Sequence, residues 1–321
     1  MRKIFYMLII LLVVLGSIGQ LVFSQEVIKS DLIMVGGSTT GTYYGMAAAI
    51  GNLLVDKLDY IKSAAAQVTG ASTENARLIE ASKADFGLAS AATIVAAMRG
   101  ENPFDEGILK NLRTICWAHS SLYHLIVAAD SDIYSVSDFK GKIVRMDTLG
   151  SGGYYTLMRV LDEYGLTKDD IRARTVTTPW DAYKEGSIDV LPLSQRIPSP
   201  SVIDIHARRP VRLLSFEPEK LDSFLKNNAG YRKGIIPAGS YEMIEEDIQT
   251  IDASAVFITN KDMPEELVYQ VVKLMDENID YLKLSDIHFQ DYGFTPDVAD
   301  STLCPLHPGA ERYYREIGLL N

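Results

Sequence analysis

From residue 31 onward, short apolar runs alternate with stretches whose apolar residues recur every three or four positions. Asp31 to Val35 reads as a buried strand and Gly36 to Gly41 as a turn. Tyr43, Met46, Ile50, Leu53, Leu54 and Leu58 then mark one face of a helix. Ala64 to Thr69 reads as a strand, and Gly70-Ala71-Ser72 as a turn that caps a helix with Leu78 and Ile79 inward. Asp85 to Ala89 is again strand-like, and Ala91 to Met98 is a helix ended by Gly100.

A second series follows. Leu112 to Ala118 and Tyr123 to Ala129 are two apolar runs joined by polar residues. Lys142 to Met146 predicts a strand, Gly150 to Gly153 a turn, and Tyr154, Leu157, Met158 and Leu161 a helix stripe closed by Gly165. Ala173 to Val176, Ile188 to Leu191 and Val211 to Leu214 predict short strands. Asp262 and Pro264 open a long helix with Leu267, Val268, Val271, Val272 and Met275 inward. Alternating strands and helices predict an α/β fold with mostly parallel sheets. Two such series suggest two α/β lobes, with the pair of runs at 112–129 as the crossover.

The N-terminus departs from this pattern. Arg2 and Lys3 precede an apolar run from Ile4 to Leu15, and Gly16, Ser17, Gly19 and Gln20 follow. That is the form of a secretory leader, with cleavage expected after Ser24. The rival reading is an uncleaved anchor, for which the run is short of the ~20 residues a bilayer needs. No cysteine lies near the cut, which argues against a lipid anchor. Among 321 residues, 47% are hydrophobic and 23% charged, which excludes a disordered tail, a collagen or a coiled-coil rod. The net charge of −11 becomes −13 once the leader, with two basic and no acidic residues, is removed. Such a chain does not bind nucleic acid through a phosphate-neutralising surface. Cys116 and Cys304 permit one disulfide in an oxidising compartment, but their apolar neighbourhoods read as two buried thiols.

Three segments share one design, a strand followed by a Gly/Ser/Thr-rich turn and a helix start: 36–42, 69–73 and 150–153. Glycine lets a ligand approach the backbone, and the free N–H groups of a helix start favour an anion. In open α/β sheets ligands sit beyond the strand C-termini, where these turns lie. Each turn alone also reads as a plain cap. Arg145 follows an apolar strand and suits either a ligand carboxylate or a structural aspartate. In the doublets Tyr43-Tyr44 and Tyr154-Tyr155, one ring is expected in the core and one toward the cleft. No phosphate-binding loop, dinucleotide fingerprint or nucleophile elbow is spelled, and His119, His124, His206, His288 and His307 form no compact ligand set. No catalytic residue, metal or cofactor is therefore expected.

The residues at 36–44, Gly-Gly-Ser-Thr-Thr-Gly-Thr-Tyr-Tyr, resemble the opening motif of the TAXI-type solute-binding proteins of TRAP transporters. Thr69 to Asn75 with Arg77-Leu78 is similar to that family's Thr-Gly-Gly-Ser-x-Glu-Asn segment. Asp138 to Lys142 followed by Gly150-Ser151-Gly152 is similar to its second-lobe motif, and Leu306 to Glu316 to its closing signature. The resemblance implies a two-lobed periplasmic-binding-protein fold of type II-like form, with a ligand cleft between lobes joined by a hinge. On that fold residues 1–24 are the leader, 25–120 the first part of lobe 1, 121–240 lobe 2, and 241–321 the return to lobe 1. It implies a periplasmic protein that closes on a small carboxylate, either a dicarboxylate such as 2-oxoglutarate or a glutamate-like amino acid. The partner would be an integral-membrane TRAP permease. Ligand contacts are expected from Ser38, Thr39, Thr40, Thr42, Tyr43, Ser72, Asn75 and Ser90 in the first lobe. Arg145, Ser151, Gly152 and Gly153 would supply them in the second, while His307 is expected to be structural.

The chain departs from that pattern in places. Val-Gln-Ser-Asp is replaced by Ala89-Ser90-Ala91-Ala92, and Asp-Ala-Phe-Phe by Asp189-Val190-Leu191-Pro192. Gln195 and Arg196 replace glycines, and Arg145 stands where a small residue is common. A gained Arg and a lost Asp suit a more negative ligand, such as a dicarboxylate. Two other readings of the same chain are an exported sensor signalling to a membrane receptor and a hydrolase using Ser151, which lacks an evident base.

Overall fold

The computed structural model describes residues 29–321 except 40, 177, 292 and 294–296. The expected leader and Thr40 therefore lie outside the described residues. Two sheets organise the chain. The first has the order β2-β1-β3-β12-β4, built from β1 (Asp31–Val35), β2 (Ser63–Gln67), β3 (Phe86–Ser90), β4 (Leu112–His119) and β12 (Ala255–Asn260). Its helices are α1 (Thr42–Lys57), α2 (Ser72–Glu80) and α3 (Ala91–Arg99), and the C-terminal α8 (Glu265–Glu277), α9 (Ile279–Ser285), α10 (Val298–Thr302) and α11 (Pro308–Glu316).

The second sheet runs β10-β11-β5-β8-β6-β7, with β9 also paired to β5. Its strands are β5 (Leu122–Ala128), β6 (Ile143–Arg145), β7 (Arg172–Arg174), β8 (Val190–Gln195), β9 (Val211–Leu213), β10 (Arg232–Ile236) and β11 (Ile248–Asp252). Between them lie α4 (Gly152–Glu163), α5 (Pro179–Lys184), α6 (Pro200–Arg208) and α7 (Pro218–Asn227).

The chain passes from the first sheet to the second between His119 and Leu122, and returns between Asp252 and Ala255. The return thus lies beyond the division after residue 240 expected from sequence, because β11 pairs with β10 and β5 before the chain leaves. The sheets are also not mostly parallel. β1 with β2 and β3, and β6 with β7 and β8, are parallel. β12 runs antiparallel to β3 and β4, and β5 antiparallel to β8, β9 and β11. A chain that crosses between two sheets and comes back inserts its crossing strands against the direction set by the βαβ units.

Burial follows this layering. Every residue of β5 is buried, so the strand shows no apolar–polar alternation. Tyr123, Leu125 and Val127 feed the core on one face, and Leu122 and Ile126 the core on the other. The first sheet has one continuous core, in which Phe86 stacks on Phe257 at 5.6 Å. Tyr313 and Tyr314 are both buried there, and the Tyr314 hydroxyl donates to the Ile115 carbonyl at 2.8 Å. Cys116 and Cys304 are buried in the same lobe, and burial pushes the Cys304 thiol up to about 12.

His307 is structural, as expected. Its Nδ1 accepts from the Gly309 amide at 3.1 Å, capping α11, and Nε2 faces the Met263 carbonyl at 3.1 Å. In the other lobe His124 Nδ1 faces the Leu122 carbonyl at 2.9 Å, and Nε2 meets the Tyr241 hydroxyl at 2.9 Å. Burial lowers both imidazoles to about 4. Both are therefore neutral in the folded chain and charged in the unfolded chain below about 6.5. The unfolded state binds more protons between those values, so stability is complete above about 6.5 and is lost as pH falls toward 4. At pH 5 each histidine is expected to cost about 2 kcal/mol relative to pH 7. Urea midpoints measured from pH 7 to pH 5 check this, with the slope flattened in the His124→Gln/His307→Gln double variant.

Candidate functional site

The turns after β1, β2 and β3 line up at one end of the first sheet because those strands are parallel neighbours. Asn75 holds the three together. Its Nδ2 donates to the carbonyls of Gly36 at 2.6 Å and Leu88 at 2.7 Å, and its Oδ1 accepts from Thr69 Oγ1 at 2.6 Å. Asn75 is fully buried, and all these groups are spent on the scaffold. The expected ligand contact at Asn75 is thus corrected to a tie between turns.

Ser72 also differs from expectation. The N-cap of α2 is Ala71, at φ 67°, and Ser72 is the first helical residue. Its hydroxyl accepts from the Ser90 amide at 3.0 Å and contacts the Tyr43 phenol. Ser90 Oγ caps α3 through the Thr93 amide at 3.3 Å and meets Thr93 Oγ1 at 2.7 Å. Ser38 and Thr39 are exposed on the first turn, where the Ser38 carbonyl accepts from the Gly41 amide at 2.9 Å. Thr42 Oγ1 faces His288 Nε2 at 3.1 Å, and His288 Nδ1 lies 2.7 Å from Asp286.

In each tyrosine doublet one ring packs against a core, Tyr43 against that of the first lobe and Tyr154 against that of the second. Tyr43, Tyr44, Tyr154 and Tyr155 are all half-buried. Burial pushes the Tyr43 phenol up to about 12, and its ring is tilted against His119 at 5.9 Å.

The second lobe brings the start of α4 against this face. A Cβ on Gly152 would lie 2.8 Å from Ser90 Oγ and 3.3 Å from Ser72 Oγ, closer than a real methyl sits. Only glycine lets that helix start reach the two serines. The Thr73 amide reaches the Gly150 carbonyl at 3.4 Å from the opposite lobe. Ser151 Oγ accepts from the Tyr154 amide at 3.2 Å as the helix cap. Gly153 stands against the Asp147 carboxylate, whose Oδ2 fills the space a side chain would take. Arg145, the cation expected to face the ligand, is buried and ion-paired to Asp147. Its Nη1 also reaches the Pro192 carbonyl at 3.4 Å.

Sequence reasoning missed three groups that matter here, Thr73, His119 and Tyr123, and anticipated a fourth, Arg145. Thr73 Oγ1, His119 Nε2, the Tyr123 hydroxyl and Arg145 Nε are buried polar atoms without a partner among the described residues. All four border the gap between the lobes. Thr73 adjoins Gly150, and His119 adjoins Tyr43 at the end of β4. Tyr123 lies within electrostatic range of Asp147, Tyr231 and Arg145. The Tyr231 hydroxyl meets Thr156 Oγ1 at 2.9 Å. Burial lowers His119 to about 4, so Nδ1–H is held by the Ser120 carbonyl at 3.0 Å and Nε2 is a bare acceptor. Asp147 carried one sequence signal: it lies two residues beyond Arg145, just before a turn that starts a helix.

The profile of the NMT1-like family matches residues 34–318. Among solved structures, a Bordetella bronchiseptica protein is 10% identical, with 90% of this chain and 98% of that one aligned at a TM-score of 0.55. A Xanthomonas citri protein bound to ATP is 13% identical, covering 90% and 100% at 0.53. The periplasmic aliphatic sulphonate binding protein of Escherichia coli is 15% identical, covering 90% and 88% at 0.48. The two-lobed α/β fold is shared with the Bordetella and ATP-bound Xanthomonas structures.

Replacing Asn75 by alanine would leave two buried carbonyls and a hydroxyl unpaired. The expected cost is about 2–5 kcal/mol, read as a lower urea midpoint, with the three turns losing hydrogen-exchange protection together.

Proposed function

The chain belongs to the NMT1-like family, and on that footing we propose that it is an exported, periplasmic solute-binding protein. Its lobes close on a small carboxylate-bearing molecule and deliver it to a TRAP-type membrane permease, acting as a carrier and not as an enzyme. The observation that carries this reading is the set of four buried, unpartnered polar atoms around the gap. An unpaired buried polar atom costs about 1–3 kcal/mol, so a site that keeps four of them is complementary to something that pairs them. The motif resemblance at 36–44, 69–75, 138–152 and 306–316 supports the TRAP partner.

The ligand reading shifts with Asp147. Arg145 and the start of α4 are the two features that would draw a dicarboxylate, and Asp147 touches both. The remaining partners, Thr73, His119 and Tyr123, are neutral. A carboxylate that also carries an ammonium group, of the glutamate kind, fits this balance better than 2-oxoglutarate, because Asp147 would attract the first and repel the second.

A thermal-shift panel of glutamate, glutamine, aspartate, 2-oxoglutarate, succinate and malate tests it. A ligand at 100 times its Kd adds about 2.7 kcal/mol, which for this chain length raises Tm by roughly 5 °C or more. Amino-bearing compounds are expected to shift Tm and their amino-free counterparts to shift it little. Asp147→Asn frees Arg145 and should reverse the order by about tenfold in affinity. A flat panel across all six compounds would sink the carboxylate reading.

A further inference from the structure

Residues 230–232 reach the first lobe through two contacts of different kinds, one on each side of Tyr231. Gly230, at φ +87°, presses on the start of α3: a Cβ there would lie 2.6 Å from Ala92 Cα and 2.7 Å from its amide nitrogen. The obstacle is backbone, so it has no rotamer with which to yield. Ala92 itself packs into the core of the second lobe, although its helix belongs to the first sheet. Tyr231 borders the gap, bonded to Thr156 and within electrostatic range of Tyr43 and Tyr123. Arg232 lies over the Trp117 ring at 4.3 Å, and Trp117 is on β4 of the first sheet.

Arg232 is held from behind. Its Nη2 donates to Asp252 at 2.9 Å and to Ser254 Oγ at 2.7 Å. Asp252 is buried, and it also accepts from the Ser121 amide at 2.9 Å, Ser120 Oγ at 3.1 Å and Ser254 Oγ at 2.8 Å. Ser120–Ser121 and Asp252–Ser254 are the two crossings between the sheets. Arg232 and Asp252 are also cross-strand partners in β10 and β11, so their ion pair stays intact whichever way the lobes turn. The Trp117 and Ala92 contacts reach from one lobe to the other and part when the lobes separate.

Resting on the hinge-closure reading, we infer that residues 230–232 are a closure clasp, in which Arg232 acts as a positioning residue that favours the closed state by stacking on Trp117. Tyr231, between the two contacts, places the clasp one residue from the ligand gap. Lysine at 232 keeps a cation for Asp252 but loses the planar face that covers the indole. Loss of a cation–π contact is expected to raise the open-to-closed ratio about two- to tenfold.

The test uses the full mature chain in a Trp180→Phe background, which leaves Trp117 as the single indole. Small-angle scattering and Trp117 emission are recorded without added ligand, and affinity with L-glutamate as probe. Arg232→Lys should enlarge the radius of gyration, shift the Trp117 emission and weaken glutamate binding two- to tenfold. Gly230→Ala leaves the Arg232–Asp252 pair intact and should produce the same enlargement and emission shift by blocking approach to Ala92. Unchanged scattering and emission in both variants would overturn the clasp. The scattering and emission need no ligand, so a failure of the carboxylate reading, seen as glutamate not binding, is distinguished from a failure of the clasp.

Discussion

One carboxylate organises the junction of the two lobes. Asp252 sits at the second crossing and gathers hydrogen bonds from the first crossing, from Ser254 and from Arg232. Buried charge is tolerated only where such partners surround it. Their positions fix how two otherwise separate sheets are strung together. The two crossings are thereby pinned to each other. The turns of the first lobe and the start of α4 then meet along one reproducible line.

Across that line the lobes have different characters. The first presents turns locked to one another by Asn75, with hydroxyls at Ser72, Thr73 and Ser90. The second presents the Arg145–Asp147 pair beside a helix start, together with the Tyr123 and Tyr231 hydroxyls. A helix start draws negative charge, and in this chain the Asp147 carboxylate lies beside Gly153 at that start. The electrostatic balance of the gap is therefore close to neutral, although the whole chain is strongly acidic. On the reading proposed above, selection among ligands would fall to hydrogen-bond pairing and to the sign of charge placed beside Asp147.

Much of the fold was readable from periodicity. The stripe through Tyr43, Met46, Ile50, Leu53 and Leu54 became α1, and Tyr154, Leu157 and Leu161 lie on α4. Strand direction was not readable. β4, β5 and β12 are buried on both faces, and a strand without apolar–polar alternation carries no mark of which way it runs or which neighbour it pairs with. In the site, the glycine-rich turns were legible as turns before helices, because their chemistry is local. The role of Asn75 depends on carbonyls 39 residues before it and 13 after it, which no spacing rule connects. Asp147, Tyr231 and Asp252 read as ordinary polar residues at strand ends, since their meaning comes from what the opposite lobe brings to them.

Ala92 gives the junction a thermodynamic colour. It belongs to the first sheet by chain and to the second lobe's core by packing, so separating the lobes hydrates an apolar contact that otherwise counts as interior. Movement at this junction therefore has a heat-capacity signature. On the hinge-closure reading proposed above, closing the lobes would remove that surface from water and lower the heat capacity, so the enthalpy of capture would grow more favourable as temperature rises.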